Sequence, residues 1–158
     1  MAFEPMTSEN ATAEAELRAR HLRVGEPSPW IARHAHLIPA KGLVLDLACG
    51  GGRHARFFAA RGHPVVALDK DTAALEAAAP PGVEIVQADF ENGSPVFDPP
   101  GPLAGRRFAG IVVVNYLHRP ILPRLMALLA PGGALLYETF ARGNESFTRP
   151  RNPDHLLK

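Results

Sequence analysis

A single cysteine cannot close an intrachain disulfide, so the chain is not built for stability in an oxidising compartment. Charge of one sign is also missing. Lys and Arg number 17 against 16 Asp and Glu, a net of +1 that gives no general attraction to nucleic acid or an anionic membrane. There is no run of about 20 apolar residues and no charged-then-apolar leader, which leaves the expectation of a soluble cytoplasmic protein. The seven histidines come without a cysteine pair or a His-x-x-x-His spacing, and His34 and His36 face different ways on a predicted helix. No metal is expected.

Proline and glycine are plentiful instead, 16 and 14 respectively, and they gather at breaks such as "PPG" (80–82) and "DPPGPLAG" (98–105). Grouped like this they mark turns between ordered elements, because proline fixes φ and glycine permits positive φ. A helix is predicted over Ala11–Leu22, and a second, short one is capped by Ser28, has Pro29 in its first turn and stops before Pro39. From Leu43 onward aliphatic runs alternate with helical stretches: "LVLDLA", "RHARFFAARG", "PVVALD", "DTAALEAAA", "VEIVQAD", "GIVVVNY", "RPILPRLMALLAPGG" and "ALLYETF". Continuous Val/Ile/Leu strands separated by helices predict an α/β fold, a doubly wound parallel sheet of about five strands covered on both faces. The length suits one domain over 1–158, divided into an N-terminal helical segment (1–40), a Rossmann-like core (41–140) and a C-terminal tail (141–158).

Ligands of such sheets bind beyond the carboxyl ends of the strands. "VLDLACGGGRHA" (44–55) lies there, with Gly50, Gly51 and Gly52 between an apolar run and a predicted helix whose first N–H groups are unpaired. Gly50-x-Gly52-x-x-Ala55 also fits the dinucleotide fingerprint, so a nicotinamide-dependent oxidoreductase is one reading of this loop. Asp46, four residues before Gly50, disfavours it: a carboxylate beside a pyrophosphate is repulsive, whereas a cationic or zwitterionic ligand gains from it. Asp69 closes the second predicted strand, where a carboxylate can accept from both hydroxyls of a ribose, and Asp71 is placed to cap the next helix. Cys49 stands near a helix N-terminus, a position that lowers a thiol pKa.

The stretch 44–55 resembles the first motif of class I S-adenosylmethionine-dependent methyltransferases, with Asp46, Ala48, Gly50 and Gly52 at the motif's acidic and glycine places and Ala48 standing for the first glycine. The resemblance implies a loop around the methionine part of the cofactor, Asp46 near its amino end through the loop or water, Cys49 lining the loop, Asp69 at the ribose, and Lys70 among the cofactor-binding residues. In "QADFEN" it assigns Asp89 to the adenine amino group and Phe90 to the base. Asn115 at the end of the fourth strand falls beside the cofactor's methyl, with Tyr116, His118 and Arg119 toward a small-molecule acceptor and His118 as the base where the acceptor is protonated. "ETFARGNESFTRPRNP" is similar to small bacterial methyltransferases of the tellurite-resistance type. The family has two further strands after the fifth, the last antiparallel; none is legible in "NPDHLLK", so the fifth strand is expected at an exposed edge, open to a homodimer. A non-catalytic module that binds the cofactor is the remaining reading.

Overall fold

The structure is a computed structural model, and it describes residues 25–147 and 150–158. The helix predicted over Ala11–Leu22 lies outside them. Helix α1 (Pro29–His34) starts at Ser28, whose side chain accepts from the Ile31 N–H at 3.4 Å, and a 3-10 turn over Ala35–Leu37 carries it to Pro39. The cap and the proline thus act where the sequence put them.

Five strands form one parallel sheet in the order β3-β2-β1-β4-β5: β1 (Val44–Leu47), β2 (Val65–Asp69), β3 (Val83–Gln87), β4 (Phe108–Val114) and β5 (Leu129–Glu138). Between them run α2 (Arg53–Ala60), α3 (Ala73–Ala78) and α4 (Leu122–Leu128). This is the doubly wound arrangement predicted, with helices on both faces. Because side chains alternate along a strand, β1 and β2 supply both cores. Val44, Val65, Ala67 and Val112 pack with Ile31, Phe58 and Leu75 on one face. Leu45, Leu47, Val66, Leu68, Ile111 and Val113 pack with Leu125 and Leu128 on the other. The chain reverses direction across the sheet between β1 and β4, so the loops after these strands part at their carboxyl ends and open a crevice there.

Two element boundaries differ from the sequence reading. The fourth strand starts at Phe108, ahead of the expected Gly110, and ends at Val114; a Cβ on Gly110 would lie 2.4 Å from Ile38 Cδ1, so the exit of α1 packs against bare backbone. Helix α4 stops at Leu128 instead of running to the glycines, because Leu129 is already extended and begins β5. Leu129 then pairs with Phe108 and Ala134 with Gly110, and Pro131–Gly133 bulge between the two pairings. Residues 88–107 contain neither helix nor strand, as expected of the proline-rich stretch between the third and fourth strands. Their buried Val96 and Leu103 fill the core beside α4, tied by a hydrogen bond from the Leu103 N–H to the Val96 carbonyl at 2.9 Å.

Since Leu103 does the work of a covering helix, Leu103→Ala should lower unfolding free energy by about 2–5 kcal/mol. Met126→Ala on the exposed face of α4 should stay within about 0.5 kcal/mol of wild type. Urea denaturation of both variants checks the contrast.

Candidate functional site

Beyond β1 the chain takes a conformation that few residues tolerate. Ala48, Gly50 and Gly52 have φ of 55°, 54° and 83°. Gly50 faces open space, so it is needed for its backbone alone, whereas a Cβ on Gly52 would also meet Leu75 Cδ1 at 2.4 Å. Ala48 holds the left-handed conformation at a cost of about 1–2 kcal/mol.

Two carboxylates hold this loop. Asp69 at the end of β2 accepts from the Gly50 N–H through Oδ2 at 2.8 Å and from the Asp71 N–H through Oδ1 at 3.0 Å. Asp46, inside β1, accepts from the Ala55 N–H in the first turn of α2 at 2.8 Å. Asp46 is 2% exposed. Burial, with a smaller contribution from the Asp69 charge, pushes its carboxyl up to about 7, against the Ala55 hydrogen bond and Arg53. Asp46 is thus a buried brace between strand and helix, and it reaches a ligand only through the loop. Asp71 accepts from the Ala73 N–H at 3.2 Å, while Thr72 is the boundary residue of α3 and donates its hydroxyl to Glu76 at 2.7 Å.

A cavity of about 160 Å³ opens beside the loop, lined by Ala48, Asp69, Lys70, Asp89, Phe90 and Tyr116 from the sequence reading, together with Ala88 and Glu91. It adjoins a wider groove of about 680 Å³ that shares Lys70, Ala88 and Asp89. Asp89 accepts from the Glu91 N–H at 2.8 Å, turning the chain so that Phe90 and Glu91 both reach the cavity. Phe90 stacks on Phe97 at 5.4 Å between centroids and 26° between planes, and the Arg124 guanidinium lies over the Phe97 ring, 5.4 Å from its centroid. The Phe90 ring is thus fixed from behind. Three carboxylates and one ammonium give the cavity an acidic lining.

The remaining predicted residues divide. Cys49 is buried near the loop, and desolvation with the Asp46 and Asp69 charges pushes its thiol up, so the lowering expected from the helix end is overturned. Asn115 sits at φ 58°, exposed, its N–H donating to the Glu138 carbonyl at 2.8 Å; it does not line the smaller cavity. Tyr116 donates its hydroxyl to Glu91 Oε2 at 3.4 Å, and His118 Nδ1 lies 3.6 Å from Glu91 Oε1. Arg119 turns away, its two terminal nitrogens donating to the carbonyls of Asp154 and Leu156.

Sequence reasoning missed two groups. Glu91 lies within the quoted "QADFEN" but was given no role there. The other is a buried junction above the loop: His54 Nε2 accepts from the Ser28 N–H at 3.0 Å, and the Ser28 hydroxyl donates to Glu138 Oε2. Burial, then the Arg53 charge, brings His54 down to about 4, so the ring is neutral and its proton is on Nδ1. The Ser28 cap signal was legible; its partner 110 residues away was not.

Two predictions follow from these strained and buried groups. Ala48→Gly should raise stability by about 0.5–1 kcal/mol, the relief of left-handed strain less the entropy of a freer unfolded chain; thermal unfolding measures it. The second concerns pH. Asp46, raised from 3.8 to about 7, makes stability fall as pH rises through that window, because the folded state holds the extra proton. His54, lowered from 6.5 to about 4, makes stability rise over its window, because the unfolded state holds it. The two oppose one another in the wild type. In Asp46→Asn only the His54 slope remains, so the urea midpoint of that variant should climb, relative to wild type, between pH 4 and 6.5.

Known proteins share this architecture. The chain is 31% identical over 137 residues to the trans-aconitate 2-methyltransferase of Acidovorax sp. strain JS42, a match covering 84% of this chain and 46% of that relative. It spans 38% to 46% of the length of the curated relatives it matches. A coclaurine N-methyltransferase crystallised with N-methylheliamine and SAH superposes with a TM-score of 0.58 at 13% identity, over 88% of this chain and 53% of that one. A TehB-like SAM-dependent methyltransferase from Corynebacterium glutamicum gives 0.57 at 21% identity, over 86% and 76%. At such identities the likeness is one of fold. The sequence itself matches the methyltransferase domain family over residues 44–133, from the start of β1 into the bulge of β5 and more than half of the chain, and the protein belongs to that family.

Proposed function

We propose that this chain binds S-adenosylmethionine across the glycine loop and the adjoining acidic cavity, and transfers its methyl group to a small-molecule acceptor. The observation that carries the reading is the lining of that cavity: Asp69, Asp89 and Glu91 around a fixed Phe90 ring, with Lys70 as its one cation. Carboxylates are acceptors for ribose hydroxyls and an adenine amino group, and they favour a ligand carrying an ammonium and a sulfonium over one carrying a pyrophosphate. The open face of Gly50 leaves room for a ligand against the backbone. Family membership and the fold shared with an SAH-bound methyltransferase support the same ligand.

Bound here, S-adenosylmethionine would supply an electrophilic methyl on a positively charged sulfur. In this reading Asp69 and Lys70 hold the ribose, Asp89 and Phe90 hold the base, and Ala48, Cys49, Gly50 and Gly52 shape the loop under the methionine part. Asp46 acts through α2, by fixing where the loop ends. Asn115, Tyr116 and His118 stand on the acceptor side. Transfer to carbon, nitrogen or oxygen needs alignment and exclusion of water above all, which is the task of the loop after β4.

Among the described residues no helix is long and apolar enough to cross a membrane. A cytoplasmic place for the protein is part of the proposal, as is pairing of two copies along the outer edge of β5, which no other named strand covers among the described residues.

Calorimetric titration tests the binding. S-adenosylhomocysteine should bind with a Kd on the order of micromolar and NAD should not bind measurably. Asp69→Ala should weaken S-adenosylhomocysteine about tenfold or more, through loss of the ribose acceptors and of the Gly50 brace. Equal affinity for NAD, or an unchanged affinity in the variant, would contradict the assignment.

A further inference from the structure

A second cavity, of about 360 Å³, lies beyond the carboxyl end of β4. Its ionisable walls are Glu91, His118, Arg119, Asp154 and His155. Glu91 is the residue that borders both this space and the smaller cavity beside the glycine loop. Its carboxylate reaches toward two side chains of the β4 loop: Oε2 accepts from the Tyr116 hydroxyl at 3.4 Å, and Oε1 stands 3.6 Å from His118 Nδ1. The second separation is of ion-pair length, longer than a hydrogen bond. A carboxylate on the Nδ1 side of a neutral imidazole favours the tautomer with its proton there, which leaves Nε2 as the acceptor. The loop that carries the ring is pinned from below, where the Tyr137 hydroxyl donates to the Tyr116 carbonyl and the Ile121 N–H to the His118 carbonyl.

The charge of this cavity also selects. Two carboxylates, Glu91 and Asp154, belong to its wall. The one guanidinium there, on Arg119, is engaged at both terminal nitrogens by the main-chain carbonyls of Asp154 and Leu156. A polycarboxylate would meet like charge and an occupied cation.

We propose that this second cavity receives the methyl acceptor, that the acceptor presents a hydroxyl or an amine rather than a carboxylate, and that Glu91 positions His118 to take the acceptor's proton. The proposal rests on the S-adenosylmethionine reading above. The acceptor's lone pair forms the new bond to the methyl carbon, the carbon–sulfur bond breaks with its electrons remaining on sulfur, and the acceptor's proton passes to His118 Nε2. Glu91 touches none of the reacting atoms; it is a positioning residue. The cavity would thereby separate this chain from the acceptor named for its curated relatives, trans-aconitate.

The test uses nitrogen-15 spectra of the histidine rings in the full chain at about pH 8, where unperturbed imidazoles are neutral. The His118 signals are assigned by their loss in His118→Gln. Without any ligand, the wild-type ring should carry its proton on Nδ1, Glu91→Ala should move it to Nε2, and Glu91→Gln, which keeps an acceptor oxygen, should retain the wild-type form. With S-adenosylhomocysteine present, trans-aconitate at millimolar concentration should leave the His118 signals in place. A wild-type proton on Nε2, or no change in a folded Glu91→Ala, overturns the role of Glu91; His118 signals that shift with trans-aconitate overturn the acceptor class. The tautomer arm needs no cofactor, so a failure of S-adenosylhomocysteine to bind would count separately, against the reading on which the proposal rests.

Discussion

The hydrogen bond from the Gly50 N–H to Asp69 is the contact on which the site depends. It ties the loop after β1 to the end of β2, and it holds that loop where Ala48 and Gly50 must both adopt positive φ. Alone it would leave the far end of the loop free. Asp46 closes that end by accepting from the first turn of α2, so the turn is clasped at both sides by carboxylates from neighbouring strands. Everything that lines the smaller cavity is positioned relative to this clasp: Asp69 and Lys70 follow it along β2, while Asp89, Phe90 and Glu91 come from the next strand outward. The two carboxylates share the load unequally. Asp69 stays partly exposed and can take a ligand as well, whereas Asp46 is sealed and acts only on the fold.

The fold was legible because its signal is local. Aliphatic runs, a Ser-Pro helix start and glycine breaks each declare an element within a few residues, and the parallel sheet follows from their alternation. The misplaced boundaries are small: β4 starts ahead of Gly110, and Leu129 is already extended where the helix was expected to run on to the glycines. Residues 88–107 read as a proline-rich loop, but their part in the core was not legible. Their two apolar anchors, Val96 and Leu103, are too far apart to show a period, yet they cover the core as a helix would.

The candidate site was legible in part for the same reason. Ala48, Asp69, Lys70, Asp89, Phe90 and Tyr116 each follow directly from a strand end, and topology alone brings strand ends together. Roles that depend on where a side chain turns were not legible. Asp46 carries the motif's acidic residue, but burial makes it a brace; Cys49 stands at a helix end, but desolvation outweighs the dipole. Arg119 is adjacent to His118 in sequence and yet leaves it for carbonyls at residues 154 and 156. Long-range partners such as Ser28 with Glu138, or Glu91 with His118, carry no spacing that a sequence reader can test.

Backbone amide shifts on titration with S-adenosylhomocysteine test the central claim most directly. The account predicts the largest changes at Gly50, Lys70, Asp89 and Phe90, the main chain that frames the acidic cavity. Absence of any change, or changes gathered instead at the separate cavity beside His36 and His63, would contradict it.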